Sequence, residues 1–229
     1  MDIRTISRFG AVATLAVAGV AAAIPLVVTE NDDAPAAQQF DAYAAHSGVA
    51  AASNTMLVAL IALVPAMVFA GRVARRGAPR LGYIGGALSA LAWLAGLMSL
   101  GGQGIGLYEG SRLPDRAGAA ALLDAMAANP VYNTLLLIFV LGHVVGMVVL
   151  GIGLWRSGAV GWWVGALFIL YVVLHTVGHA LAAAVDVASG FVLALALLAV
   201  AVRVARTPDA EWDLPAGPSR TAAREALPV

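Results

Sequence analysis

The chain has 229 residues, of which 61% are hydrophobic and 11% charged, and its mean hydropathy is +0.89; a typical soluble domain has about 25% charged residues. A water-soluble fold cannot bury that much apolar surface, so the composition predicts an all-α polytopic membrane protein whose main partner is the lipid bilayer. The formal net charge of zero and the lack of a basic face argue against nucleic acid as a partner. The absence of cysteine excludes disulfides, thiolate metal ligands and cysteine nucleophiles.

Six apolar stretches are long enough to cross the hydrocarbon core, which requires about 20 residues of helix. They cover approximately residues 9–29, 50–71, 81–102, 131–155, 160–184 and 187–204. Together they predict a six-helix transmembrane domain over residues 1–206. The first stretch also has small residues at 21–23 that would suit signal-peptide cleavage, but its apolar run continues to Val28, which favours an uncleaved helix.

The arginines predict the orientation of the spans, because short arginine-rich loops remain cytoplasmic. With the N-terminus inside, nine arginines fall on the cytoplasmic side: Arg4, Arg8, Arg72, Arg75, Arg76, Arg80, Arg156, Arg203 and Arg206. Only Arg112 and Arg116 of the inter-span arginines fall outside. We therefore predict a multi-pass protein of the cell membrane with both termini cytoplasmic.

The segments around the spans carry further signals. Pro65 lies inside the second span and predicts a kink. Residues 38–53 are expected to extend that span outward. The alanine-rich run after Pro114 predicts a short helix at the membrane interface, ending before Pro130. Residues 207–229 combine prolines, mixed charges and little apolar content, which predicts a disordered cytoplasmic tail.

Three histidines lie within the predicted spans, where ionisable side chains are costly and by default suggest function. His143 lies in the fourth span, and His175 and His179 lie in the fifth, all in the outer half of the membrane. Tyr171, His175 and His179 recur every four residues and share one stripe of a helix, which Asp186 extends if the helix continues. The candidate cofactor-binding residues are therefore the three histidines, with Tyr171 and Asp186 as residues that orient an imidazole by hydrogen bonding.

Several roles for these histidines are open. They can hydrogen-bond across helices, titrate in a proton or cation path, or share a metal ion. They can also ligate haem b, if His143 pairs with His175 or His179 from the other helix. Zinc proteolysis is disfavoured because Thr176 stands where an HExxH motif has its glutamate. We expect the fourth and fifth helices to pack closely at Gly142 and Gly146, and hence no haem. No metal site is predicted either.

A family resemblance rests on the segment from Asn133 to Leu170. It reads NTLLLIFVLGHVVGMVVLGIGLWRSGAVGWWVGALFIL, with a Leu-Trp-Arg-Ser-Gly turn at 154–158 between two apolar helices. This segment resembles the C-terminal half of uncharacterised six-helix membrane proteins of high-GC bacteria. The resemblance as a whole covers about a third of the chain. The resemblance implies a six-helix topology in a bacterial inner membrane and carries over no catalytic residue.

Nucleotide-binding, serine-hydrolase and dinucleotide motifs are absent from the sequence, so no catalytic residue is predicted. We expect a non-enzymatic membrane protein, either structural or a carrier of small solutes. The alternative is a haem- or metal-binding redox protein that uses the outer-leaflet histidines. A solvent-accessible pocket among the helices on the exterior side would favour solute binding.

Overall fold

The computed structural model describes residues 3–24, 34–181 and 183–212, except the side chains at positions 177, 179–181, 183 and 186. Every regular element in this portion of the chain is helical, which confirms the all-α prediction. The helices are α1 (Ile3–Ala23), α2 (Ala36–Ala45), α3 (Ser47–Leu60), α4 (Leu63–Ala74), α5 (Pro79–Gly96), α6 (Gly102–Gly110), α7 (Arg116–Ala127), α8 (Pro130–Ser157), α9 (Trp162–Leu181), α10 (Ala183–Ala205) and α11 (Asp209–Trp212). A π-helical turn, Leu97–Gly101, joins α5 to α6.

Several of these helices are long and apolar enough to cross a membrane. Four qualify within the described residues, and the bent pair α3 and α4 makes a fifth if it counts as one span. The four are Ile3–Ala23, Pro79–Gly110, Pro130–Ser157 and Val187–Ala205. In α9 the apolar helix found is shorter, Trp162–Thr176. The observed helices differ most from the predicted spans in two places. The first helix begins at Ile3 rather than near residue 9, and residues 25–29 of the predicted span lie outside the described residues. The third span continues to Gly110 rather than ending near residue 102.

The long helices form an antiparallel bundle. On α5 and α8, Gly85 lies against Leu150 and Gly96 lies against Phe139, so residue numbers rise along one helix as they fall along the other. The same relation holds between α1 and α10, because the Arg8 guanidinium donates to the carbonyl of Ala205 while Gly190 lies against Ala22. Helices α8, α9 and α10 are neighbours in chain order, and α1 closes the ring against α10 and α4.

Helix α4 fills the centre of one half of the bundle. It contacts α1, α5, α8 and α10, and its Leu63, Met67 and Ala70 are fully buried. Helix α3 meets α4 at an angle of 41°, with the break at residues 61–62. Pro65 explains the break, because proline cannot donate to the carbonyl four residues earlier and its ring clashes there. The predicted kink is therefore present, although the break lies one turn before Pro65.

Glycine permits close approach at two crossings that fix the bundle. A Cβ atom at Gly82 would lie 2.6 Å from the carbonyl oxygen of Gly71, where α5 crosses α4. Gly142 and Gly146 are also close-packed, but against Ala92 and Ser89 of α5. The expectation that these two glycines bring α8 against α9 is therefore wrong, since the helix that approaches them is α5.

The loops and helix ends divide the bundle into two unlike ends. We call the end that carries the N-terminus of α1 and the C-termini of α4, α8 and α10 the basic end, because all nine arginines of the predicted cytoplasmic side lie there. The other end is covered by α2 and α7, and we call it the capped end. Phe40 is buried in the cap together with Ala36, Leu107 and Ala120.

The cap confirms one local prediction and corrects another. Helix α7 is the short helix expected after Pro114, and it begins where the Asp115 side chain accepts a hydrogen bond from the backbone N–H of Gly118. Residues 38–53 do not simply extend the second span. Instead, α2 ends at Ala45 and a new helix begins at Ser47, with His46 between them outside helical geometry.

At the basic end, the beginning of the predicted tail is folded. Residues 209–212 form a helical turn, α11, and the Trp212 side chain is buried in the main core. The interpretation of residues 207–212 as disordered is therefore wrong, because an indole can bury a large apolar area even in a polar segment. Residues 213–229 lie outside the described residues.

Candidate functional site

A large cavity separates the cap from the bundle. Its volume is about 1140 Å³, at or above the upper end of the ~300–1,000 Å³ common for ligand pockets. The cavity lies at the N-terminal end of α4, since its first residue, Leu63, lines the cavity and no later residue of α4 does. The bend between α3 and α4 thus leaves the centre of the bundle unfilled at the capped end. Its polar and aromatic lining residues are Gln39, Tyr43, Ser53, Asn54, Trp93, Gln103, Asp124, Tyr132, Asn133, Phe139, His143, Tyr171, His175, Thr176 and Ser189.

His143 lies at the floor of this cavity, where four aromatic rings surround it. Its ring centroid is 5.1 Å from that of Trp93, 5.2 Å from those of Phe139 and Tyr171, and 5.5 Å from that of His175. Phe139 is one turn before His143 on α8, and Tyr171 is one turn before His175 on α9. The antiparallel packing of α8 and α9 therefore brings the two pairs together, and α5 adds Trp93.

Several polar atoms in the cavity wall have no hydrogen-bond partner within the described protein. They are both ring nitrogens of His143, Nε1 of Trp93, Oγ of Ser53 and Oδ1 of Asn54. His143 is only 3% exposed. A buried polar group without a partner costs about 1–3 kcal/mol, so most such groups in native proteins are satisfied. Their convergence on one cavity marks it as a place where a bound molecule can supply the missing partners.

The wall nearer the cap is more fully bonded. The Tyr132 hydroxyl donates to Oε1 of Gln103 at 2.5 Å, and Nε2 of Gln39 donates to the carbonyl of Ala34 at 2.7 Å. The first bond links the start of α8 to α6, and the second joins α2 to the residues just before it. The capped side is therefore preorganised, while the free hydrogen-bonding capacity lies at the floor and on α3.

The structure brings together three of the predicted site residues. His143, Tyr171 and His175 are in mutual ring contact, and Tyr171 stacks on His175 with an interplanar angle of 16°. The side chains of His179 and Asp186 lie outside the described residues. By backbone position, His179 belongs to α9 and Asp186 belongs to α10, so Asp186 does not continue the α9 stripe on the same helix.

Sequence reasoning missed some members of this site. Trp93 is one aromatic residue in an apolar span, and nothing in the pattern places it beside His143. Ser53 and Asn54 gave a usable signal, because two consecutive polar residues inside a predicted span seldom face lipid. Among the side chains the structure describes, no three histidine, aspartate or glutamate groups converge in a way that would hold a metal ion.

Fold and site together define a class: an all-helical protein with several helices of membrane-spanning length around one large, mostly apolar cavity. Comparison of the chain with protein-family models, with curated proteins and with solved structures finds no match.

Proposed function

We propose that this chain is a six-helix protein of a bacterial inner membrane that binds a small solute in the cavity beneath its cap, as a carrier or receptor rather than an enzyme. The antiparallel bundle supports six spans if α3 with α4 forms one and α9 forms another. The arginine-rich basic end supports a cytoplasmic position for both termini. The cavity then opens in the outer half of the membrane.

The cavity is the observation that carries this proposal. A purely structural helical bundle gains stability by close packing and has no need for an internal space of about 1140 Å³. Here the space is lined mostly by apolar side chains, with polar groups at the floor, on α3 and under the cap, and small-molecule sites combine the two in this way. The chain also offers unpartnered polar atoms at its floor.

Two glycines on α6 provide a matched test of this proposal. Gly104 lines the cavity and Gly102 does not, and neither has an atom within 4 Å of a Cβ added there. We expect Gly104→Trp to fill the cavity and Gly102→Trp to leave it open. Wild-type and variant proteins are purified from native membranes into lipid nanodiscs, and their small-molecule content is extracted and compared by mass spectrometry.

A compound enriched with the wild-type and Gly102→Trp proteins and depleted with Gly104→Trp is the expected result. Equal small-molecule content in all three samples would count against solute binding in the cavity. Melting temperatures measured on the same samples identify a variant that has simply failed to fold.

The alternative proposal is a haem- or metal-binding redox protein, and the contact between His143 and His175 favours it. These imidazoles come from different helices, as two axial ligands of one iron must. A porphyrin between them would have to separate rings that now lie 5.5 Å apart. An optical spectrum of the purified protein tests for haem. A Soret band that is present in the wild type and lost in His143→Phe supports haem binding, and a wild-type spectrum without a Soret band rules haem out.

A further inference from the structure

The charges around the cavity restrict what it can hold. Among the described residues that line it, Asp124 is the sole carboxylate and no arginine is present. Of the two arginines at the capped end, Arg112 pairs with Glu109 and Arg116 pairs with Asp41. An ion transferred from water into such an environment loses hydration without gaining a countercharge. The described part of the lining therefore disfavours anions and offers a cation one partner, Asp124 at the cap.

The floor of the cavity offers both donors and acceptors. Trp93 Nε1 carries a hydrogen and only donates. A neutral His143 ring has one nitrogen that donates and one that accepts. All three atoms are buried without partners. A hydroxyl or carbonyl oxygen at this point would accept from an N–H group, and a hydroxyl would also donate to the remaining nitrogen.

Between the floor and the cap, the wall is mainly aliphatic. It includes Leu57 and Leu60 from the bent helix pair, Leu97 and Leu100 from the π-helical turn, and Leu136 from α8. These side chains give an elongated apolar body a surface to bury, at about 25 cal/mol per Å² of apolar area removed from water. A polar solute of similar size, such as a sugar, would leave its hydroxyl groups unpaired along this wall.

We infer that the cavity takes an uncharged amphipathic molecule, with its hydroxyl or carbonyl end at His143 and Trp93 and its apolar body along the leucine-lined wall. This inference rests on the proposed solute-binding function and specifies its ligand class. The described lining residues supply hydrogen bonds at the floor and, on α3, at Ser53 and Asn54, with apolar contact along the leucine side chains.

Three probes of equal chain length test the ligand class. They are decanol, decanoate and decyltrimethylammonium, each with a photoactivatable diazirine on the alkyl chain. Each probe is added to the wild-type protein in phosphatidylcholine nanodiscs, irradiated, and mapped by mass spectrometry. Labelling at individual cavity-lining residues is divided by labelling at the exposed residue Leu195, which does not line the cavity, so that differences in membrane partitioning cancel.

We expect the normalised cavity labelling by decanol to exceed that of either ion at least about 10-fold, because the described lining residues offer neither ion adequate charge compensation. If none of the three probes labels the cavity, the amphipathic ligand class is overturned, while the comparison of Gly104→Trp with Gly102→Trp decides separately whether the cavity binds a solute. If decanoate or decyltrimethylammonium labels the cavity most strongly, solute binding stands and the uncharged class is overturned.

Variants at the floor test the position of the polar end. Trp93→Phe and His143→Phe keep an aromatic ring and remove the hydrogen-bonding nitrogens, so each should reduce decanol labelling of the cavity by about 2- to 10-fold. Trp155→Phe and His46→Phe, at exposed positions outside the cavity, serve as controls and should leave labelling unchanged. Unchanged labelling in both floor variants, with melting temperatures near that of the wild type, would overturn the assignment of the polar end.

Discussion

The indole ring of Trp212 lies against the guanidinium group of Arg72, whose Cζ is 4.4 Å from the ring centroid. The same arginine donates to the carbonyl oxygen of Trp212 at 2.6 Å, and Nε1 of Trp212 donates to Oγ of Ser7 at 3.2 Å. The C-terminal turn α11 therefore bridges α1 and α4, two helices that are distant in sequence. It closes the bundle at the basic end.

Replacing Trp212 with alanine should destabilise the protein. The side chain is 1% exposed, and truncation of a buried tryptophan costs about 3–5 kcal/mol. The matched control is Trp162→Ala, because Trp162 is 65% exposed at the start of α9. The stability of both variants is measured by thermal and denaturant unfolding in the same detergent. Equal stability of Trp212→Ala and the wild type would show that α11 does not support the bundle.

The ion pair between Arg8 and Asp209 should make this closure sensitive to acid. The pKa of the Asp209 carboxyl is lowered chiefly because the Thr5 hydroxyl donates to it at 2.6 Å, with Arg8 adding hydrogen bonding and positive charge. A lowered folded-state pKa contributes stability that is fully present above the unfolded-state value, about 3.9 for aspartate, and is lost as the pH falls through the folded-state value. Asp209→Asn should therefore melt below the wild type at pH 7.

The gap between Asp209→Asn and the wild type should narrow as the pH falls below about 4, because the wild-type carboxyl then becomes neutral as well. Glu109→Gln is the control, since Glu109 is exposed and lies 3.8 Å from Arg112 in a pair within α6 and its adjoining turn. Melting temperatures from pH 7 to pH 3 provide the comparison. A gap that stays constant over this range would show that the charge of Asp209 does not contribute.

The contrast between the spans and α11 shows what the sequence can predict. A membrane requires about 20 apolar residues of helix, so long apolar segments could be located from composition alone. Trp212 could not be placed in the same way, because averaging over residues 207–229 conceals one aromatic side chain in a polar segment. Its burial depends on a groove between α1 and α4 that exists only after the bundle forms.

The candidate site was only partly predictable for a similar reason. Helix periodicity and depth in the membrane correctly bring His143 near Tyr171 and His175. The contribution of Trp93 depends on the crossing of α5 and α8, and that register is set by which glycines admit a neighbouring backbone. The cavity arises from the bend before Pro65, whose direction is a tertiary property that no local pattern specifies.

The crossing of α5 and α8 should tolerate no side chain at Gly85. A Cβ atom there would lie 2.5 Å from the backbone nitrogen of Leu150, and overpacking of this kind costs about 1–3 kcal/mol. Gly102→Ala is the control, because nothing lies within 4 Å of its added Cβ and alanine favours helix. Denaturant unfolding should show a loss for Gly85→Ala and no loss for Gly102→Ala. A neutral Gly85→Ala would mean that the two helices can separate without cost.

Reporter fusions test both the number of spans and their orientation. Alkaline phosphatase, which is active only outside the cytoplasm, is inserted between Leu113 and Pro114 in the turn before α7 or fused after Val229. Three proposed spans, α8, α9 and α10, separate these positions, so the reporters should lie on opposite sides. The arginines of the basic end predict activity at 113 and none at 229, with green fluorescent protein fusions giving the reverse. Activity at both positions, or at neither, would overturn the six-helix count. Activity at 229 alone would keep the count and reverse the orientation, which would place the cavity in the cytoplasmic half of the membrane.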